Sequence, residues 1–71
     1  MERVIKDIIK AIKEERESRG LTQKELATLS GVSYSTLTKI ETGIIKNPSI
    51  EIIVKLAKEL DISIDKLLQR V

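Results

Sequence analysis

Leu21–Gly43, LTQKELATLSGVSYSTLTKIETG, decides the fold. It writes two short amphipathic helices around a glycine turn at Gly31 and leaves the outer face of the second helix uncommitted to packing. Thr22 followed by Glu25 is a capping box, in which each side chain satisfies a backbone N–H of the other residue. Leu21 before the cap and Leu26 inside the helix form a hydrophobic staple.

The same device recurs outward from this stretch. Val32-Ser33 with Leu37 and Ile62-Ser63 with Leu67 repeat it, and Pro48-Ser49 with Ile53 is a looser version, so four helix starts are marked. A further helix precedes them, from about Glu2 to Arg19, with Ile5, Ile8, Ile9, Ile12 and the stem of Arg16 along one stripe and Gly20 as its left-handed stop. Gly31 and Gly43 end the second and third helices in the same way. Five helices with short connections predict an all-α fold, compact and single-domain over residues 1–71, with no strands. Ile50, Ile53, Leu56, Ala57 and Leu60 are the expected core stripe of the fourth helix, with Ile52 and Val54 on its flanks. Ile64 and Leu67 play that part in the fifth.

A chain of 71 residues builds a small core and no large active-site cavity. With 41% hydrophobic and 34% charged residues it is too apolar for disorder and too charged for a membrane span. Arg3, Lys6, Asp7 and Lys10 interrupt the apolar residues near the amino terminus, which argues against a secretory signal and for a cytoplasmic protein. The absence of cysteine and histidine excludes disulfides and the usual zinc sites, and no metal or cofactor is expected. A net charge of +2 permits an anionic partner without requiring one.

The third helix, Tyr34 to Thr42, carries the functional argument. Leu37 and Ile40 face inward. Tyr34, Ser35, Thr38, Lys39 and Thr42 follow the offsets of one outer face, and every one of them can donate a hydrogen bond. That face carries no carboxylate. Base edges in the major groove and phosphates offer mainly acceptors, so the pattern suits a helix that reads double-stranded DNA. A merely solvated face is the competing explanation, and the capped helix and glycine turn in front of it weigh against that.

Taken together, Arg16, Gly20-Leu21-Thr22-Gln23-Lys24-Glu25-Leu26-Ala27, Gly31-Val32-Ser33, Leu37, Ile40-Glu41-Thr42-Gly43, Asn47-Pro48-Ser49 and Leu56-Ala57 with Leu60 resemble the lambda-repressor-like helix-turn-helix family of Cro and phage-repressor type. The resemblance implies a five-helix DNA-binding domain that reads DNA with its third helix, commonly as a homodimer on a near-palindromic operator. It further implies base-reading positions at Tyr34, Ser35, Thr38 and Lys39. Backbone contacts would come from Gln23, Ser33, Thr42, Lys46 and Asn47, and a structural pair, Arg16 with Glu41, would tie the first helix to the end of the third. Gln23 would hold a phosphate and brace the reading helix. Ser33 caps that helix, whose positive end also attracts a phosphate.

Two departures shape the expectation. The loop after Gly43 reads Ile44-Ile45-Lys46-Asn47, with a single lysine, which predicts fewer phosphate contacts and a shallower salt dependence than a strongly basic loop would give. One isoleucine of that loop is expected to tuck under the fourth helix and the other to be exposed. The reading face also lacks Arg, Asn and Gln. Lys39 can contact guanine and Tyr34 a thymine methyl or a phosphate, whereas the hydroxyls of Ser35 and Thr38 discriminate poorly.

Leu68 and Val71 are candidates for a two-fold contact, with a frayed terminus as the equal alternative. The chain reads as a transcriptional repressor, whether a complete small regulator, an antitoxin or the DNA-binding head of a longer protein. An enzyme fares poorly, since there is no His or Cys and no glycine-rich phosphate loop, and Glu14, Glu15, Glu17, Glu51 and Glu59 read as solvated helix faces. The stronger competitor is a protein-interaction module on the same fold, docking through Ile44, Ile45 and Leu68.

Overall fold

The computed structural model describes residues 2–69, which form five helices in the order α1 (Glu2–Ser18), α2 (Gln23–Ser30), α3 (Tyr34–Glu41), α4 (Ile50–Glu59) and α5 (Ile64–Gln69), with no strand among them. Each of the last four begins at a capping hydroxyl. Thr22 accepts from the Glu25 N–H, Ser33 from Thr36, Ser49 from Ile52 and Ser63 from Lys66, satisfying donors that an α-helix leaves orphaned at its start.

The residues in front of these caps turn inward. Val32 is buried, and Leu21 and Ile62 pack half-buried against the core, so the staples pin the entry of each helix as well as its first turn. The core itself is aliphatic: Ala11, Ile12, Leu26, Ala27, Val32, Leu37, Ile53, Leu56, Ala57, Leu60 and Leu67. Packing of α2 on α3 and α4, and of α1 on α3 and α5, encloses it.

Three details depart from the sequence expectation. Ile50, expected on the core stripe of α4, is 69% exposed. It is the first residue of that helix, one turn before the buried Ile53, and sits on the rim of an open apolar groove with Ile5, Ile8, Pro48 and Leu68. Of the expected α1 stripe Ile12 and Arg16 are buried, joined by Ala11, whereas Ile5, Ile8 and Ile9 are only half-buried. The end of α4 lacks a glycine, yet Asp61 takes the left-handed conformation there (φ 54°) while Ile62 N–H reaches back to the Ala57 carbonyl at 3.0 Å.

The capping box of α2 gives the molecule a pH signature. Glu25 Oε1 accepts from the Thr22 N–H at 2.9 Å, and Thr22 Oγ1 accepts from the Glu25 N–H at 3.0 Å. Hydrogen bonding from the Thr22 backbone, and then from its side chain, holds the Glu25 carboxyl below its ordinary value. A carboxyl lowered in the folded state contributes stability that is present above its unfolded pKa and lost as pH falls through the folded one. Glu25→Gln, which keeps an acceptor at the same position, is therefore expected to remove part of the stability loss between about pH 6 and about pH 3. Denaturant midpoints of both proteins across that range check this; identical pH profiles would assign the acid sensitivity to other carboxyls.

Candidate nucleic-acid interface

The outward side of α3 is built by what its inward side consumes. Leu37 and Ile40 are buried at 0% and 2% exposure, which fixes the rotation of the helix and leaves Tyr34, Ser35, Lys39 and Thr42 exposed. Among the described residues the side chains of Tyr34, Ser35 and Lys39 make no hydrogen bond, so their donors remain available to a ligand. The first turn of α3 contains no acidic residue and its last turn contains Lys39.

The only carboxylate of α3, Glu41, is withdrawn from this face. Its side chain is 1% exposed and takes a bidentate ion pair from Arg16, with Nε to Oε2 at 2.9 Å and Nη2 to Oε1 at 3.0 Å. Gln23 Nε2 donates to the same Oε1 at 2.9 Å, and Arg16 Nη1 donates to the Leu21 carbonyl at 2.6 Å. One guanidinium thus joins α1 to the residue before the α2 cap and to the end of α3. Gln23 adds a link from the first residue of α2 to the last of α3. The part played by the Leu21 carbonyl had no signal in the sequence, because a backbone oxygen is the same in every residue.

The capping and flanking hydroxyls are more committed than the sequence suggests. Ser33 donates to Thr36 Oγ1 at 2.7 Å while accepting from the Thr36 N–H at 3.1 Å. The Thr42 hydroxyl donates to the Thr38 carbonyl at 2.8 Å. Lys46 and Asn47 lie exposed in the loop between α3 and α4, where Ile44 is 71% exposed and Ile45 half-buried.

Thr38 differs most from its expectation as a donor. The residue is half-buried, and its Oγ1 has neither solvent contact nor a hydrogen-bond partner. At the border between the packed and open sides of α3 the hydroxyl turns inward, so the side chain presents carbon to the outside. A buried hydroxyl without a partner costs free energy, and valine keeps the shape without the polar atom. Thr38→Val is accordingly expected to raise stability by about 1 kcal/mol, read as a higher denaturant midpoint. A lower midpoint would mean that the hydroxyl has a partner in solution.

Leu68, named for a two-fold contact, is 43% exposed and borders the apolar groove beside Ile50; Val71, named with it, lies outside the described residues. Among the described residues no helix is long and apolar enough to cross a membrane, and no group of three or more acidic residues is gathered to hold a metal ion.

Comparison with known proteins agrees with this architecture. The family model described as helix-turn-helix matches residues 12–67. The chain is 40% identical over 57 residues to the HTH-type transcriptional regulator SinR of Bacillus subtilis (strain 168), an alignment covering 80% of this chain and 51% of that protein. SinR of Bacillus licheniformis gives the same identity and coverage. The HTH-type transcriptional regulator SlrR of Bacillus subtilis (strain 168) is 38% identical over 52 residues, covering 73% of this chain and 34% of SlrR. The chain thus spans about half the length of the SinR proteins and about a third of SlrR. No solved structure matches at a significant level. Capped helices α2 and α3 joined through Gly31, an all-helical core and a family match from α1 into α5 lead to one assignment: the chain belongs to the lambda-repressor-like helix-turn-helix family.

Proposed function

We propose that this chain is a DNA-binding transcription regulator that acts as a repressor by inserting the helix Tyr34–Thr42 into the major groove. The observation that carries the reading is the withdrawal of Glu41: the one carboxylate of α3 is neutralised by Arg16, and the exposed side of the helix is left without a carboxylate and with the donors of Tyr34, Ser35 and Lys39 unengaged. Acceptor-rich base edges and phosphates complement such a face. The regulator names of its relatives SinR and SlrR agree with this role.

In the proposed complex Ser35 and Lys39 reach base edges, Tyr34 a thymine methyl or a phosphate, and Thr38 contributes through carbon, suited to a thymine methyl. Gln23, through the amide hydrogen that Glu41 does not take, Lys46 and Asn47 hold the backbone and set the register of the helix in the groove, and Ser33 and Thr42 join them by exchanging their bonds to Thr36 and the Thr38 carbonyl for bonds to phosphate. A homodimer places two such helices in successive major grooves, about 34 Å apart, and occupancy of a promoter blocks polymerase.

Selection of bound sequences from a random duplex library tests DNA binding, half-site symmetry and specificity together. A near-palindromic consensus is the expected result. A non-palindromic consensus would reject the homodimer, and no enrichment would reject sequence-specific reading. The second reading, a protein-interaction module on the same fold, draws on the exposure of Ile44 and Leu68. Titration with mixed duplex DNA at two salt concentrations separates the two: salt-sensitive binding belongs to the regulator, and no binding at low salt to the protein module.

A further inference from the structure

Helix α1 begins well before residue 12, where the family match starts, and this forward part carries a face that the function above does not use. Arg3, Lys6, Lys10 and Lys13 recur at spacings of three and four residues, which stacks their side chains along one side of the helix. The fold turns that side toward the end of α3. Arg3 and Lys6 line a cleft with Gly43 and Lys46. Lys6, Lys10 and Lys13 line a second cleft with Ile9 and the stretch Ile40–Gly43.

The electrostatics of the two clefts are one-sided. Among the described residues no carboxylate lies within salt-bridge distance of Arg3, Lys6, Lys10, Lys13 or Lys46. Glu41, among the described residues the one acidic residue lining either cleft, has its carboxylate engaged by Arg16 and Gln23. Asp7, Glu14 and Glu17 follow Arg3, Lys10 and Lys13 by four residues, yet none of them lines either cleft. Five cations are thus held beside Thr42 and Gly43, where the outer face of α3 ends, so the positive surface is continuous with the reading face.

We infer that this basic face of α1, together with Lys46, is a binding site for the phosphodiester backbone that flanks the groove entered by α3. The inference rests on the DNA-binding reading above. It replaces the shallow salt dependence expected from a loop with one lysine, because α1 supplies the cations that the loop lacks. Each phosphate neutralised by a Lys or Arg releases condensed counterions and adds about 0.9 to the slope of log affinity against log salt.

The test is the salt dependence of binding of the full chain to a mixed-sequence duplex. Arg3→Gln with Lys6→Gln, and separately Lys10→Gln with Lys13→Gln, are each expected to reduce the magnitude of that slope by about 2, at about 0.9 per lost contact. Lys58→Gln, a change of charge on α4 outside both clefts, should leave it unchanged. Arg3→Lys with Lys6→Arg should keep the wild-type slope, which a role in helix packing would not guarantee, and circular dichroism should show unaltered helix content throughout. Wild-type slopes in both Gln doubles overturn the inference while leaving DNA binding by α3 intact. Wild-type slopes combined with lost binding to phosphatidylserine vesicles would assign the face to a membrane surface and overturn it equally. Failure of the wild-type chain to bind duplex DNA at low salt overturns the underlying function, a result distinct from either.

Discussion

Arg16→Ala is expected to lower the stability of the folded chain by about 3–5 kcal/mol, because it strands a carboxylate in a place that water does not reach. The Glu41 side chain is 1% exposed and that of Arg16 9%, so the weak exchange of an exposed ion pair with solvent, worth about 0–1 kcal/mol, does not describe this contact. Both carboxylate oxygens depend on the guanidinium, and only Oε1 retains another donor, Gln23 Nε2 at 2.9 Å, once it is removed. The Leu21 carbonyl loses its side-chain donor at the same time. A chain of 71 residues has a total stability of about 4–11 kcal/mol at the usual 0.05–0.15 per residue, so the loss takes a large share of it. Since the cost lies in orphaning the charge, Arg16→Met combined with Glu41→Leu should recover much of what Arg16→Ala loses. Denaturant midpoints decide both points. An unchanged midpoint in Arg16→Ala would mean that the pair does not support the fold and would return Arg16 to the surface as a phosphate contact.

The sequence disclosed this network only in part, and the division is physical. Caps and staples are local: Thr22, Ser33, Ser49 and Ser63 satisfy N–H groups within a few residues of themselves, so their positions in the chain already locate the helix starts. The rotation of α3 was equally legible, because buried Leu37 and Ile40 leave Ser35 and Lys39 outside on helical geometry alone. Hydroxyl direction was not. The inward turn of Thr38 Oγ1 depends on a rotamer chosen by neighbours in space, and Ile50 is exposed because no other element covers the start of α4. The cations of α1 had a periodic signal from the beginning, but what they face is a matter of how α1 crosses the end of α3, and no spacing within a single helix contains that. Asp61 shows the same limit from the backbone side: a left-handed helix stop was legible at Gly20, Gly31 and Gly43 and invisible where an aspartate adopts it.

Lys39→Ala is expected to weaken binding to the selected operator by about 1–3 kcal/mol, roughly 5- to 150-fold in affinity, with little change in stability. Lys39 is the only cation of α3, stands exposed in its last turn and makes no side-chain hydrogen bond or ion pair in the free chain that alanine would remove. Its backbone carbonyl, which accepts from the Ile45 N–H at 2.9 Å and helps turn the chain after the helix, survives the substitution. Where the ammonium bonds guanine O6 or N7, the penalty concentrates at one operator position, and substituting that base pair costs the alanine variant less than it costs the wild type. A phosphate contact has a different signature: affinity falls about equally for unrelated duplexes, and the salt slope drops by about 0.9. Affinities of both proteins for the operator, for its single-position variants and for a mixed-sequence duplex, measured at matched salt, distinguish the two roles. Equal affinities throughout would remove Lys39 from the interface and, with it, the most specific contact that the donor-rich face of α3 has to offer.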